Sequence, residues 1–92
     1  MKKKTLNNLW KAVANGSTRR VFTCLESGLD INVRMYGGRT VLQRTTTLRQ
    51  LEMVAYLLKK GANVDARIGA NGDNPVDIAE KQGSKEVKLQ FL

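Results

Sequence analysis

The chain contains no histidine, and this absence excludes more chemistry than any residue present adds. Histidine is the commonest general base near neutral pH and the commonest nitrogen ligand for zinc. There is a single cysteine, Cys24, so neither an internal disulfide nor a thiolate metal cluster is available. Cys24 falls within an apolar run and reads as a small buried hydrophobe rather than a reactive thiol. No apolar stretch approaches the roughly 18 to 20 residues that cross a bilayer. Lys2-Lys3-Lys4 resembles the charged start of a secretory signal, but Thr5, Asn7, Asn8 and Lys11 break up the segment behind it. A soluble cytoplasmic or nuclear protein is therefore expected. Acidic residues are also scarce, with 8 Asp plus Glu against 16 Lys plus Arg, a net charge of +8. That excess suits an acidic protein surface, nucleic acid or an anionic membrane, or simply keeps an apolar stack soluble.

Catalytic constellations are missing as well. Gly37-Gly38-Arg39-Thr40 lacks the Gly-x-x-x-x-Gly-Lys spacing of a phosphate-binding loop. Asp73 and Asp77 stand four apart with no base or metal ligand nearby. Nucleophile, base and oxyanion donors cannot all be assigned, so the chain reads as a non-enzyme with no cofactor and no metal.

What is present is self-similarity at an offset of 33 residues. Leu25-Glu26-Ser27-Gly28-Leu29-Asp30-Ile31-Asn32-Val33 returns as Leu58-Lys59-Lys60-Gly61-Ala62-Asn63-Val64-Asp65-Ala66. A third copy begins one residue late: Leu9 and Leu42 are followed by Val76, and Gly16 by Gly83. A fixed period of this length signals stacked supersecondary units, none of which buries its apolar face alone. Each unit reads as a short helix, a tight turn, a second helix and an extended loop.

In the first unit Asn7 is the expected cap of a helix from about Asn8 to Asn15, ended by Gly16. A second helix from about Thr18 to Ser27 places Val21, Cys24 and Leu25 on one stripe. The second unit starts at the N-cap Thr40, and its outer helix spans about Leu51 to Lys60. The third has Asn74 as cap and Pro75 at the first helical position, then a last helix from about Lys85 to Leu92. Gly28 to Arg39 and Gly61 to Asp73 read as hairpin-like projections.

These residues resemble the ankyrin repeat, whose pattern runs Gly-x-Thr-Pro-Leu-His-x-Ala-Ala, Gly, Val-x-x-Leu-Leu, Gly-Ala-Asp-Val-Asn-Ala. Gly38-Arg39-Thr40-Val41-Leu42-Gln43 matches its opening and Gly61-Ala62-Asn63-Val64-Asp65-Ala66 its close. Gly72-Asp73-Asn74-Pro75-Val76-Asp77-Ile78-Ala79 is similar to a degenerate opening. The resemblance implies one all-α domain over residues 1–92, a solenoid of helix–turn–helix units with β-hairpin-like loops. Its repeats would cover about 5–36, 37–69 and 70–92, the last truncated. It also implies a scaffold without chemistry of its own, whose partners sit on the concave side formed by hairpin tips and inner helices.

The departures from that pattern are informative. Its histidine position is taken by Trp10, Gln43 and Asp77. Gln43 and Asp77 can still satisfy backbone groups near the loop, whereas Trp10 reads as a partly buried lid. Thr45-Thr46-Thr47 replaces helix formers, at a few tenths of a kcal/mol each, roughly. Arg49 stands where the turn glycine belongs; positive φ there costs about 1 kcal/mol. A short, distorted inner helix from Val41 to about Thr47 is expected. Gly-Arg-Thr-x-Leu-Gln before a poor helix is similar to the second repeat of the ankyrin-type cyclin-dependent kinase inhibitors, although here that repeat keeps its full length.

Equal repeat positions become ladders on one face. Lys11 and Arg44 share an inner-helix position, and Arg34 and Arg67 share a hairpin position with Met35 and Ile68 beside them. With Tyr36 and Arg39 they make a basic concave face of interface-like composition, suited to an acidic or mixed protein partner. Nucleic acid is the rival partner on charge, but few aromatics are available for stacking. The apolar end Leu89-Gln90-Phe91-Leu92 further suggests cover by a partner or self-association through that edge.

Overall fold

A computed structural model describes residues 2–34, 36–68 and 72–92, with side chains from Leu6 onward except that of Tyr36. Helix α1 spans Lys2–Ala14 and α2 spans Thr18–Glu26. The start of α1 lies well upstream of the expected cap at Asn7, which is inside the helix. Lysine is a good helix former and neither Pro nor Gly intervenes, so Asn7 and Asn8 do not stop propagation. Between the helices, Ser17 N donates to Ala12 O (2.9 Å) and Gly16 N to Val13 O (3.0 Å). This is a Schellman closure, and it requires the left-handed φ of +67° that Gly16 adopts. Ser17 then caps α2 through its hydroxyl.

Helix α3 covers Val41–Thr47 and α4 covers Leu51–Lys59. Thr40 and Gln43 form a reciprocal capping box at the start of α3. Within the helical threonine run each hydroxyl is satisfied by a carbonyl about one turn back. Thr45 and Thr46 donate to Leu42 O, and Thr47 donates to Gln43 O. The helix has the short extent expected of it. It closes like α1, with Gln50 N on Thr45 O and Arg49 N on Thr46 O (both 3.0 Å), but on an arginine at φ +56°. Arg49 is the non-glycine residue with positive φ among the described residues.

Helix α5 spans Pro75–Gln82 behind a second capping box, Asn74 with Asp77, and α6 spans Lys85–Leu89. The last helix is shorter than expected. Gln90, Phe91 and Leu92 instead bond back three residues to Val87, Lys88 and Leu89, and this tightened turn lets Phe91 pack on the core.

Helices α1, α3 and α5 neighbour one another in that order, and α2, α4 and α6 form a second row behind them. The buried cluster joins Leu9, Ala12 and Val13 of α1 with Val21 and Cys24 of α2, Val41 and Leu42 of α3, and Met53, Val54 and Leu57 of α4. Val87 and Ala79 are buried in the third pair. No single pair encloses this seam. The first long loop carries one isolated antiparallel bridge between Arg34 and Thr40 around a tight turn at Tyr36–Gly38, and no strand forms there among the described residues. The second loop includes residues 69–71, which lie outside the described set, and its described residues form no strand pairing.

Candidate interaction surface

Loops that run over a surface must satisfy their backbone groups with something other than helix or sheet. Here side chains do so at the repeat period. Asn32 N donates to Asp30 Oδ1 (2.8 Å), and Asp65 N donates to Asn63 Oδ1 (2.9 Å). Asn63 N then donates to Asn32 Oδ1 (2.8 Å), tying one loop to the next. Gln43 is fully buried; its Oε1 accepts from Thr40 N (2.7 Å), and its Nε2 donates to Ala66 O (2.8 Å) and Asp73 O (3.0 Å). It therefore fastens α3 to both ends of the second loop, the backbone role expected of it. Asp77 accepts from Asn74 N and from Arg67 (both 3.2 Å).

Two further glutamines hold the inner helices to their neighbours. Gln50 Nε2 donates to Val13 O (2.7 Å), which also accepts from Gly16 N, and Gln82 Nε2 donates to Thr47 O (2.8 Å) at the end of α3. The Oε1 of each is buried without a protein partner. Sequence reasoning missed these ties, and also the asparagine ladder. The ladder had a signal, since Asp30 and Asn63, like Asn32 and Asp65, are equivalent under the 33-residue offset.

The sequence-predicted contact residues divide into distinct groups. Lys11 is exposed on α1, and Arg44 is half-buried on α3 with its guanidinium carbon 5.0 Å from the centre of the Trp10 ring. That is cation–π range, and Trp10 itself is half-buried, as a lid would be. Arg39 and Ile68 are half-buried. Arg34 Nη1 donates to Gly38 O and Arg67 O, both at 2.7 Å, so it clamps its own loop and reaches the next one. Arg67 Nη1 bonds Gly72 O (3.3 Å) and pairs with Asp77 (3.2 Å). Met35 and the side chain of Tyr36 lie outside the described residues.

Away from this face, burial raises the Cys24 thiol above its usual range. Tyr56 is raised too, first by burial and then by the negative charge of Glu26. An open depression of about 320 Å³ lies at the turns, lined by Gly16, Arg49, Gln50, Leu51, Glu52 and Met53. Among the described residues no group of three or more acidic or Cys side chains is placed to hold a metal, and no helix is long and apolar enough to cross a membrane.

Paired helices in like register, joined by side-chain-laced loops, define a helical scaffold. Residues 37–68 match the family model of the ankyrin repeat, a unit that generally mediates protein–protein interaction and is typically non-catalytic. The chain is 39% identical over 73 residues to the ankyrin repeat domain-containing protein OPG015 of Monkeypox virus, covering 75% of this chain and 16% of that protein. It is 32% identical over 80 residues to the potassium channel AKT1 of Oryza sativa subsp. indica, covering 87% and 8%. It is 34% identical over 73 residues to the palmitoyltransferase Hip14 of Drosophila melanogaster, covering 79% and 12%. The chain thus spans less than a fifth of each of these relatives.

Proposed function

We propose that the whole chain is a solenoid of three ankyrin-like repeats acting as a non-catalytic protein-interaction module. Its working surface is the basic side made by α1, α3 and the loop tips, and its partner is an acidic or mixed protein surface. The observation that carries this reading is the placement of Lys11, Trp10 and Arg44 on the adjacent inner helices α1 and α3, with Arg39 and Ile68 on the loops beside them, loops that Arg34 and Arg67 hold in shape. The channel and the transferase owe their named activities to proteins many times longer, and those activities are not transferred to this chain. The apolar side chain of Leu89 on α6, 59% exposed, gives a second contact edge through which the chain self-associates. Sedimentation should then show a concentration-dependent mass that Leu89→Glu abolishes; a wild-type monomer at all concentrations contradicts it.

A photo-crosslinking residue placed at Arg39, and separately at Arg20 on α2, tests the face itself. Protein adducts should form from position 39 in cells and not from position 20. Adducts from the outer helix alone would contradict the assignment.

A further inference from the structure

The basic residues of this chain are not equivalent once their partners are known. Two ion pairs occur among the described residues, Arg67 with Asp77 (3.2 Å) and Lys81 with Asp73 (3.0 Å). Both involve the second loop and α5, so positive charge at that end is compensated within the molecule. Arg34 keeps its charge, but its Nη1 is committed to two backbone carbonyls. Arg44 differs from these. Its guanidinium lies over the face of Trp10, and no carboxylate pairs with it among the described residues.

A guanidinium stacked on an aromatic face is held in orientation while its in-plane N–H groups point away from the ring. Those groups form the fork that matches a carboxylate with two parallel hydrogen bonds. The indole excludes water from one side, which strengthens the attraction for an anion on the other. Lys11 follows Trp10 directly and occupies on α1 the position that Arg44 occupies on α3. Arg44 thus lies over one face of Trp10, and Lys11 adds a second, exposed cation on the adjacent helix α1. Nucleic acid suits this arrangement less well, because base stacking needs an open aromatic face and Arg44 covers one face of Trp10.

We propose, resting on the protein-binding reading above, that Trp10, Lys11 and Arg44 form the recognition centre. The ligand is a carboxylate-rich segment of a partner protein, while Arg34 and Arg67 hold the loops and contribute little to binding. The probe is a labelled polyglutamate peptide titrated against the full chain by fluorescence anisotropy, with far-UV circular dichroism confirming each variant's fold. Arg44→Gln should weaken binding about tenfold or more, as expected for loss of a central charged anchor. Arg67→Gln should bind within about twofold of wild type while its unfolding midpoint falls. Should Arg44→Gln fail to fold, Arg44→Lys, which keeps the charge and loses the fork, should still bind measurably more weakly than wild type. Binding of wild type should also fall as salt is raised.

Equal binding by the Arg44 variant and wild type overturns the proposal, as does an equal loss in the Arg67 variant. Tighter binding of an oligothymidylate than of polyglutamate overturns it in favour of nucleic acid. No binding of the peptide by wild type overturns the acidic ligand but leaves the interaction face standing, since crosslinking from position 39 does not depend on the partner's charge.

Discussion

At the scale of single residues, Arg49 and Cys24 carry separable physical consequences. Arg49 closes α3 with a left-handed backbone that its equivalent Gly16 adopts without a Cβ clash. Arg49→Gly should raise stability by about 1 kcal/mol, measured by urea denaturation; an unchanged or lower midpoint contradicts a strained turn. This strain was legible in the sequence, because the offset aligns Arg49 with a glycine. Cys24 was also legible as a buried small hydrophobe, and its thiol is held neutral by burial. Its folded pKa lies above the unfolded value, so its contribution is complete below the unfolded pKa and is lost as pH rises through the folded one. Stability should therefore decline above about pH 8.5, and more steeply in wild type than in Cys24→Ala. Parallel pH profiles of the two proteins would contradict this. The uses of Arg34, Arg67 and Arg44 were not legible, because sequence reports a charge but not the carbonyl, carboxylate or ring that meets it.

At the scale of elements, α3 and the loop after α4 depend on one side chain. Gln43 completes the α3 capping box and also holds the carbonyls of Ala66 and Asp73. Gln43→Ala strands buried donors and acceptors on two elements and should cost about 2–3 kcal/mol. Chemical denaturation gives the value, and a loss below about 0.5 kcal/mol would mean the loop is held by something else. Element limits were readable where capping chemistry is local: Thr40 and Asn74–Pro75 mark the starts of α3 and α5 as expected. They were not readable at Lys2, where propagation overrides Asn7, nor at Leu89, where packing of Phe91 ends α6. Gln50 and Gln82 escaped notice for the same reason: each bonds the carbonyl of a residue far away in sequence.

At the scale of the whole molecule, the periodic apolar positions were enough to foresee a core shared between helix pairs, because period 33 brings Leu9 and Leu42 to equivalent places on neighbouring helices. The proposed binding face requires that sharing, since α1 and α3 bring Trp10 and Arg44 together only while the pairs stay packed. The most direct measurement uses Trp10, the single tryptophan, as a reporter of the first pair. Leu57, fully buried in α4 of the second pair, is replaced by alanine, at a cost of about 2–5 kcal/mol. Urea unfolding followed by Trp10 fluorescence should shift to lower urea by the same amount as unfolding followed by far-UV circular dichroism. A Trp10 transition that stays at the wild-type midpoint would contradict a core held in common.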